Sequence, residues 1–349
     1  MPRSRMTYAR AGVDVSQVRK SHEALARRLE STFKTRKRKV GHPVFPIGHY
    51  AGLVDLNDGR VLSLHTDNVG TKVIIARMMR KFDTIGIDCV AMCANDLICT
   101  GAEPISFLDY LAMARPDRHI VDEIAVGLVE GAKQSGMAIV GGETAIVPDL
   151  LSSDPGIDLV GMAAGICRSK DLILGDEIRN GDTLIGIASS GIHSNGLTLA
   201  RKILLKGYKL REKVPELGRG IGEELLEPTR VYVKPVLEAT RKLEVHGLAH
   251  ITGGALAKLD RIVGLARLGA EIDRLPSTPG IFRIIQKKGR ISDREMYRTF
   301  NMGVGFVLIC PHRAEDAVIR LFMRHGYNAF ALGRVEKKRG IRVNGKVVN

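Results

Sequence analysis

The fold is decided by the stretch Val61-Leu62-Ser63-Leu64-His65-Thr66-Asp67-Asn68-Val69-Gly70-Thr71-Lys72. Its first six residues are typical of a β-strand, and the next six are typical of a polar turn that contains glycine. The pattern predicts a helix from about Ile74 after this turn. Strand and helix patterns alternate in the same way along the rest of the chain, which predicts a mixed α/β (α+β) fold.

Further elements are predicted on both sides of this stretch, with Gly and Pro between them. The predicted helices cover residues 74–80, 83–100, 122–134, 196–205, 232–241 and 313–325. The predicted strands cover residues 105–113, 137–140, 159–166, 183–188 and 303–309. Turn residues cluster at 173–182, and 349 residues suffice for two domains, so we expect an N-terminal domain at 1–170 and a C-terminal domain at 171–349.

The composition indicates a globular protein with a basic surface, because 53 Lys and Arg residues against 38 Asp and Glu residues give a net charge of +15. No apolar run approaches the roughly 18 residues of a membrane span, and no apolar signal core follows Met1-Pro2-Arg3-Ser4, so we expect a cytoplasmic protein without membrane contact. The basic runs at 34–39 and 337–339 contain no interleaved aromatic residues, which favours a solvated or phosphate-attracting surface over a nucleic-acid groove. The five cysteines form no CxxC pair, and Cys89 and Cys93 are predicted to be buried small hydrophobic residues.

Two common phosphate-binding fingerprints are absent from the sequence, which contains neither G-x-x-x-x-G-K-[ST] nor G-x-G-x-x-G between a strand and a helix. Four acids stand in or near the ends of apolar segments instead: Asp67, Asp96, Asp109 and Glu143. Proteins usually hold Mg²⁺ with one or two carboxylates together with substrate phosphates. Each acid alone could equally be a helix cap or a surface charge, although Asp109 is costly to bury in an apolar strand unless it is paired or functional.

Two polar, Gly-rich loops in the second half form a further candidate site. One is Ser189-Ser190-Gly191-Ile192-His193-Ser194-Asn195-Gly196, and the other is His250-Ile251-Thr252-Gly253-Gly254. Such loops can surround a polar ligand, whereas a helix N-cap needs only one of these side chains. We expect both loops to face the N-terminal acids across a cleft. A lone histidine is more often structural than catalytic, and of the two, His193 is favoured as the acid–base group.

Taken together, these segments resemble the phosphoribosylformylglycinamidine cyclo-ligase family, also called AIR synthetases. The matching segments run in order along nearly the whole chain, at residues 7–15, 67–72, 83–96, 101–104, 107–110, 140–144, 191–196, 250–254 and 295–305. The last segment, Glu295-Met296-Tyr297-Arg298-Thr299-Phe300-Asn301-Met302-Gly303-Val304-Gly305, is typical of this family rather than of the wider superfamily.

The resemblance implies a homodimer whose N-terminal domains join their sheets into a central barrel, with an α/β C-terminal domain beside each. It implies ATP-dependent cyclisation of formylglycinamidine ribonucleotide in purine synthesis, with Mg²⁺ as cofactor and K⁺ as a further candidate, and no nucleic-acid partner. We assign metal binding to Asp67, Asp96 and Glu143, and nucleotide binding to Gly70, Thr71, Lys72, Asn95, Asp109 and Thr144. Substrate binding is assigned to Ser190, Gly191, Ser194, Asn195, Thr252 and Gly253, and catalysis to His193 and His250.

Two departures from the family pattern affect the nucleotide site. Asn68 stands where the family commonly has Gly, although Asn tolerates left-handed backbone. The usual Gly-rich N-terminal loop is replaced by the stiffer segment 41–52. Related alternatives are a selenophosphate synthetase, which usually carries a reactive Cys before position 89 where this chain has none, and a thiamine phosphate kinase. A basic nucleic-acid-binding protein would explain the charge but not the buried acids, and a salt-dependent gel shift would distinguish it.

Overall fold

The computed structural model describes residues 6–13, 15–151 and 156–349. Each half of the chain contains one mixed β-sheet. Met1-Pro2-Arg3-Ser4 and Asp14, on which sequence expectations rested, lie outside these ranges. In the described part of the chain, no helix is both long and apolar enough to cross a membrane. The predicted mixed α/β class is confirmed.

The first sheet has the strand order β1-β2-β3-β6-β4-β5. Its strands are β1 (His42–Pro43), β2 (Gly52–Asp55), β3 (Arg60–Asn68), β4 (Glu103–Met113), β5 (Ala138–Ile146) and β6 (Ile157–Arg168). The helices of this half are α1 (Val15–Leu29), α2 (Lys72–Met79), α3 (Asp83–Ile98) and α4 (Arg118–Ser135), and a 3₁₀ helix (Glu30–Arg36) follows α1. Only β4 and β5 are parallel, because the crossover through α4 returns the chain in the same direction.

One face of this sheet is covered by α3, against which α4 packs closely. A Cβ atom at Gly127 would lie 2.0 Å from the carbonyl oxygen of Asp83, so the two backbones touch at a residue without a side chain. The opposite face carries exposed apolar side chains, among them Leu64, Tyr110 and Met162. Between the described residues the sheet does not close into a barrel, and its outer strands β1 and β5 each have one neighbour. A single chain therefore leaves an apolar sheet face open.

The second sheet has the strand order β10-β12-β7-β13-β11-β14-β15. The strands of this half are β7 (Thr183–Ala188), β8 (Lys213–Val214), β9 (Arg219–Gly220), β10 (Gly247–His250), β11 (Gly269–Ile272), β12 (Val304–Cys310), β13 (Ala329–Glu336), β14 (Gly340–Val343) and β15 (Lys346–Val347). The helices are α5 (Leu197–Leu204), α6 (Ile221–Leu226), α7 (Val233–Lys242), α8 (Asp260–Val263), α9 (Gly280–Gly289), α10 (Asp293–Thr299) and α11 (Glu315–Arg324). β12 is buried along its whole length, as its continuous apolar sequence predicts.

The structure extends two predicted strands into segments that the sequence indicated as turns. Pairing of β3 with β6 continues through Asp67 and Asn68, so Asp67 lies within the strand. Pairing of β5 with β4 likewise continues through Gly142 to Ile146. In both cases hydrogen bonds to a neighbouring strand outweigh the local turn preference of Gly and Asn. The domain boundary near residue 170 stays a prediction.

Candidate active site between the two halves

An ionised carboxylate near the end of α3 contacts side chains from both halves of the chain. Asp96 accepts a hydrogen bond of 2.7 Å from Nδ1 of His250, the last residue of β10. Its second oxygen lies 3.8 Å from Lys258 Nζ. Burial alone would raise the pKa of Asp96, but Lys258, His250 and His65 hold it well below its usual value. Asp96 therefore carries a buried negative charge at the junction of the two halves.

His65 lies between Asp96 and Asp67. Its Nε2 atom is 3.6 Å from a carboxylate oxygen of Asp96 and 4.0 Å from one of Asp67. This nitrogen is buried and has no hydrogen-bond partner among the described residues. Burial lowers the pKa of His65, but the two carboxylates raise it more, so the net pKa lies above the usual value. The structure thus brings two of the three predicted metal ligands to one imidazole.

The strand register shows where Asp109 lies relative to Asp67. Asp67 pairs with Gly161, Gly161 with Asp109, and Asp109 with Gly142, so Asp67 and Asp109 stand in one row across the sheet. Burial raises the pKa of Asp109. A Cβ atom at Gly142 would lie 2.4 Å from Asp109 Oδ1, so this close approach needs glycine.

The next two residues of β5 are exposed, and they differ in orientation. Side chains alternate along a strand, so Glu143 points to the face opposite Gly142 and Thr144 to the same face as Gly142. Within one chain, Glu143 does not join Asp67 and Asp96. No three His, Cys, Asp or Glu side chains of the described ranges come close enough together to hold a metal ion. Asp67 and Asp96 nevertheless fit Mg²⁺, because that ion is usually held by one or two carboxylates and by phosphates of the substrate.

A cavity of about 180 Å³ separates the residues at 67–71 from the loop at 194–198. Gly70 has a φ of +63°, which bends the chain between β3 and α2, and the Thr71 hydroxyl lies 3.0 Å from that of Thr198. Tyr8 and Val13 line the cavity from the N-terminal segment. The predicted nucleotide-binding turn and one predicted substrate loop therefore face each other across the cavity.

Asn195 connects the two predicted substrate loops. It lines the cavity with Ser194, and its amide nitrogen would lie 3.5 Å from a Cβ atom at Gly253. The Asn195 side-chain oxygen is buried and lacks a hydrogen-bond partner among the described residues. Thr252 is buried beside them, and its hydroxyl accepts a hydrogen bond from Lys258 Nζ. The loops predicted separately from the sequence thus lie against each other at Asn195 and Gly253.

Lys72 is completely buried rather than facing this cavity. Its ammonium group donates to Asp88 Oδ1 at 2.9 Å and to the carbonyl oxygen of Glu227 at 2.6 Å. Burial lowers the pKa of Lys72, and Asp88 partly restores it. Asp88 Oδ1 also accepts from the Thr229 N–H at 2.8 Å, the Thr229 hydroxyl at 2.6 Å and the Ser194 hydroxyl at 3.1 Å. This ion pair ties both halves of the chain together.

Asn95 forms a second connection between the halves. Its side chain donates to the carbonyl oxygen of Arg230 at 2.8 Å and accepts from the Tyr232 N–H at 2.9 Å. Its amide nitrogen is also 3.4 Å from His250 Nε2. The structure places Asn95 at the base of the junction, where backbone groups of the second half use its hydrogen-bonding capacity.

His193 is buried in a left-handed backbone conformation with a φ of +63°. Its Nε2 atom accepts a hydrogen bond of 3.2 Å from the Ser190 N–H, so Nδ1 carries the proton in the neutral ring. Nδ1 has no partner among the described residues. Burial lowers the pKa of His193 well below its usual value, and the nearby positive charges of Lys72 and Arg230 add to this effect. Ser190 itself donates through its hydroxyl to the Pro228 carbonyl oxygen at 2.5 Å, and Gly191 is buried.

Sequence reasoning missed three residues of this junction: His65, Asp88 and Lys258. Asp88 could have been found, because it is the one acid between apolar residues in the middle of the predicted helix 83–100. His65 and Lys258 have no comparable local signal. Cys89 and Cys93 are fully buried, as predicted.

Both halves of the chain match known proteins. The family model described as AIR synthase related protein, N-terminal domain, matches residues 48–167, and that described as AIR synthase related protein, C-terminal domain, matches residues 179–346. The phosphoribosylformylglycinamidine cyclo-ligase of Thermococcus kodakarensis is 48% identical over 338 residues, covering 97% of this chain and 98% of the relative. The protein of the same name from Methanocaldococcus jannaschii is 45% identical over 348 residues, covering 98% and 95%. The solved structure of AaThiL complexed with AMPPCP and TMP has the same fold, with a TM-score of 0.64 and 19% identity over 92% of this chain and 93% of that one.

Proposed function

The chain belongs to the phosphoribosylformylglycinamidine cyclo-ligase family, and from this premise we propose how its residues divide the reaction between them. The activity is the ATP-dependent cyclisation of formylglycinamidine ribonucleotide to 5-aminoimidazole ribonucleotide, with release of ADP and phosphate, in purine biosynthesis. An amide oxygen is a poor leaving group, so ATP first phosphorylates the formyl oxygen, and the amidine nitrogen then closes the ring. Most of the protein's contribution is positioning and charge neutralisation.

The N-terminal half is proposed to bind the nucleotide. The observation that supports this most directly is the position of Asp67 and Asp96 on two sides of His65 Nε2, close to the glycine turn at 67–71. These two carboxylates would hold Mg²⁺, which when bound neutralises phosphate charge. Gly70 and Thr71 line the cavity and offer backbone and hydroxyl donors to phosphate oxygens. Lys72 and Asn95 are proposed to act by holding the halves together, and Asp109 and Thr144 by lining the same face of the sheet. K⁺ remains a proposal from the family resemblance.

The C-terminal half is proposed to bind the ribonucleotide. Ser190, Ser194, Asn195 and Thr252 supply hydroxyl and amide groups without adding negative charge. Gly253 is exposed and leaves its backbone N–H accessible, whereas Gly191 is buried and is proposed to contribute by keeping the first loop compact. The unpartnered side-chain oxygen of Asn195 supports this proposal, because a buried polar atom without a partner needs one from a ligand or from water.

His193 is proposed to contact the substrate through its Nδ1–H group. The low pKa keeps the ring neutral near pH 7, and the Ser190 N–H occupies Nε2, so the ring is arranged to donate a hydrogen bond to the oxygen that leaves with phosphate. His250 is proposed to orient Asp96, since burial lowers its own pKa and its Nδ1 is used by that carboxylate.

We expect His193→Ala to lower kcat by about 10²–10³-fold with a small change in KM, as removal of one hydrogen-bond donor to a charge that develops in the transition state does. Because His250 acts on Asp96, His250→Ala should instead weaken Mg²⁺ binding and so raise the Mg²⁺ concentration needed for half-maximal rate. Steady-state kinetics with Mg²⁺ titration distinguishes the two. A large rise in KM at unchanged kcat for His193→Ala would show a binding role only.

The assay that tests the activity is formation of 5-aminoimidazole ribonucleotide from formylglycinamidine ribonucleotide with ATP and Mg²⁺. Thiamine monophosphate with ATP serves as the comparison substrate, because the fold is shared with AaThiL, whose structure contains TMP. We expect 5-aminoimidazole ribonucleotide to form from formylglycinamidine ribonucleotide, and we expect no phosphorylation of thiamine monophosphate. The opposite result would assign the chain to the kinase branch of this fold. The cytoplasmic location remains a prediction.

The chain is expected to form a homodimer through the open apolar face of the first sheet. We propose that two such sheets join into a barrel, because an exposed apolar face and free strand edges are stabilised by pairing with a second copy. Light scattering at micromolar concentration should give twice the chain mass of 38.1 kDa. Glu143, on this open face, would then lie at the subunit interface.

The Leu64→Lys and Met162→Lys double variant should reduce the mass to that of one chain, since both side chains lie on the open face. Met323→Lys is the matched control, because Met323 is also an exposed apolar residue but lies on α11, in the other half of the chain. A monomeric wild-type chain, or a dimer unaffected by the double variant, would contradict this interface.

A further inference from the structure

The side-chain amide of Asn301 forms four hydrogen bonds, and three of them hold the loop that carries His193. Its nitrogen donates to the carbonyl oxygens of Gly191 at 2.8 Å and Ile192 at 3.2 Å. Its oxygen accepts from the Ser189 hydroxyl at 3.1 Å and from the Gly303 N–H at 2.9 Å. A side-chain amide has two N–H donors and two acceptor lone pairs, so every one of these sites is satisfied. The side chain is 4% exposed.

The loop needs such support because His193 has an unfavourable backbone conformation. Left-handed φ values cost a residue with a Cβ atom free energy, and they persist where surrounding contacts determine them. The two carbonyl groups that Asn301 holds belong to the two residues immediately before His193. The amide therefore sets the direction in which the chain enters this conformation.

Asn301 is itself held rigidly. The two residues after it, Met302 and Gly303, have φ values of +53° and +96°, and Met302 is buried. A Cβ atom at Gly303 would lie 3.0 Å from Pro279 Cδ, so this turn is packed against the segment before α9. Two residues further, the absence of a side chain at Gly305 leaves room for the His193 ring, whose Cε1 would lie 2.7 Å from a Cβ atom there. The turn at 301–303 therefore fixes the loop at its backbone, and the start of β12 accommodates the histidine ring.

We propose that Asn301 is a positioning residue for cyclisation, which holds His193 and the neighbouring Ser194 and Asn195 in the geometry that the substrate requires. The proposal rests on the assignment of these loop residues to the substrate site. Asn301 does not line the cavity at 67–71 and 194–198. It acts through the loop and not on the nucleotide.

The test is Asn301→Asp, which keeps the size of the side chain but replaces the N–H donors by an oxygen that repels the two carbonyl groups. A displacement of about 1 Å in a positioned group can cost about 10²-fold in rate, so kcat should fall by about that factor. KM for ATP should stay unchanged, because the nucleotide residues are on the other half. In a His193→Ala background the same substitution should lower kcat by a clearly smaller factor, since the loop has then lost one of the groups that Asn301 positions.

Thr183→Val is the matched control for a purely structural effect. Thr183 is also buried in the second half, and its hydroxyl bonds to Glu315 at 3.1 Å, at the other end of β7 from the loop. It should lower the melting temperature and leave kcat within a few-fold of wild type. If Asn301→Asp behaved like Thr183→Val, or lowered kcat equally with and without His193, the proposal would be wrong.

A readout independent of turnover separates this proposal from the assigned activity. In protein labelled with ¹⁵N-histidine, Asn301→Asp should shift the ring resonances of His193, identified by their loss in His193→Ala, and Thr183→Val should not. Unchanged His193 resonances in Asn301→Asp would overturn the proposal even if the wild-type chain had the assigned cyclisation activity. A wild-type chain without cyclisation activity would overturn the assigned function, and the spectra would still decide whether Asn301 positions His193.

Discussion

Asp67→Asn and Asp96→Asn should each lower turnover by at least about 10²-fold at saturating ATP and low millimolar Mg²⁺, the loss typical when one electrostatic stabiliser of a transition state is removed. The reason is that the chain has no P-loop, so metal-bridged phosphates must supply the main grip on ATP. Asp96 carries its charge in a buried site, and an amide cannot replace it there. Turnover as a function of Mg²⁺ concentration measures the effect.

Asp58→Asn provides the matched control for these two variants. Asp58 is an acid in the turn before β3, and it pairs with Arg60 on the surface. It should leave turnover unchanged, and circular dichroism should show that all three variants are folded. Calorimetric titration with Mg²⁺ and AMPPCP adds a binding measurement, in which only the first two variants should weaken affinity. Turnover near the wild-type value in both Asp67→Asn and Asp96→Asn would exclude the proposed metal ligands.

Lys72→Met should lower the free energy of unfolding by about 3–5 kcal/mol, the usual cost of removing one partner from a buried ion pair. The substitution leaves Asp88 charged and buried, with hydrogen bonds from Thr229 and Ser194 but without a cation. Asp88→Asn should be similarly costly, because Lys72 is then the unpaired charge. Equilibrium unfolding in urea gives both values.

The double variant Lys72→Met with Asp88→Asn should be more stable than either single variant, because neither charge remains and the amide oxygen can still accept from Thr229. Lys81→Met is the matched control. Lys81 lies 2.8 Å from Asp83 in an exposed ion pair, and such pairs contribute about 0–1 kcal/mol. A Lys72→Met variant no less stable than Lys81→Met would contradict the role of this pair in joining the halves.

Local sequence was sufficient for the elements and for the types of residue in the site. Helix α3 and strand β7 follow from apolar periodicity and from the Gly and Pro that flank them, and both were predicted within two residues of their bounds. The acids at segment ends and the two polar loops were found for the same reason. These groups are recognised from short runs of consecutive residues, so no contact between distant parts of the chain is needed to identify them.

Distant contacts decided where those groups point. The sequence around Lys72 does not show whether its ammonium group binds a phosphate or a buried carboxylate. Only the tertiary packing shows that it pairs with Asp88 and donates to the Glu227 carbonyl oxygen. Asp96 and His250 are 154 residues apart, and the Asn301 amide reaches carbonyl groups 110 and 109 residues earlier in the chain.

The sequence by itself therefore determined the α/β class, the family resemblance and the polar loops, because periodicity, turn chemistry and motif order depend on near neighbours. The tertiary structure alone decided which acids meet, that Glu143 stands apart from Asp67 within one chain, and that the neutral His193 ring carries its proton on Nδ1. These features depend on strand register and on burial. Strand register and burial are set only when segments that are far apart in the chain pack together and exclude water from their contact.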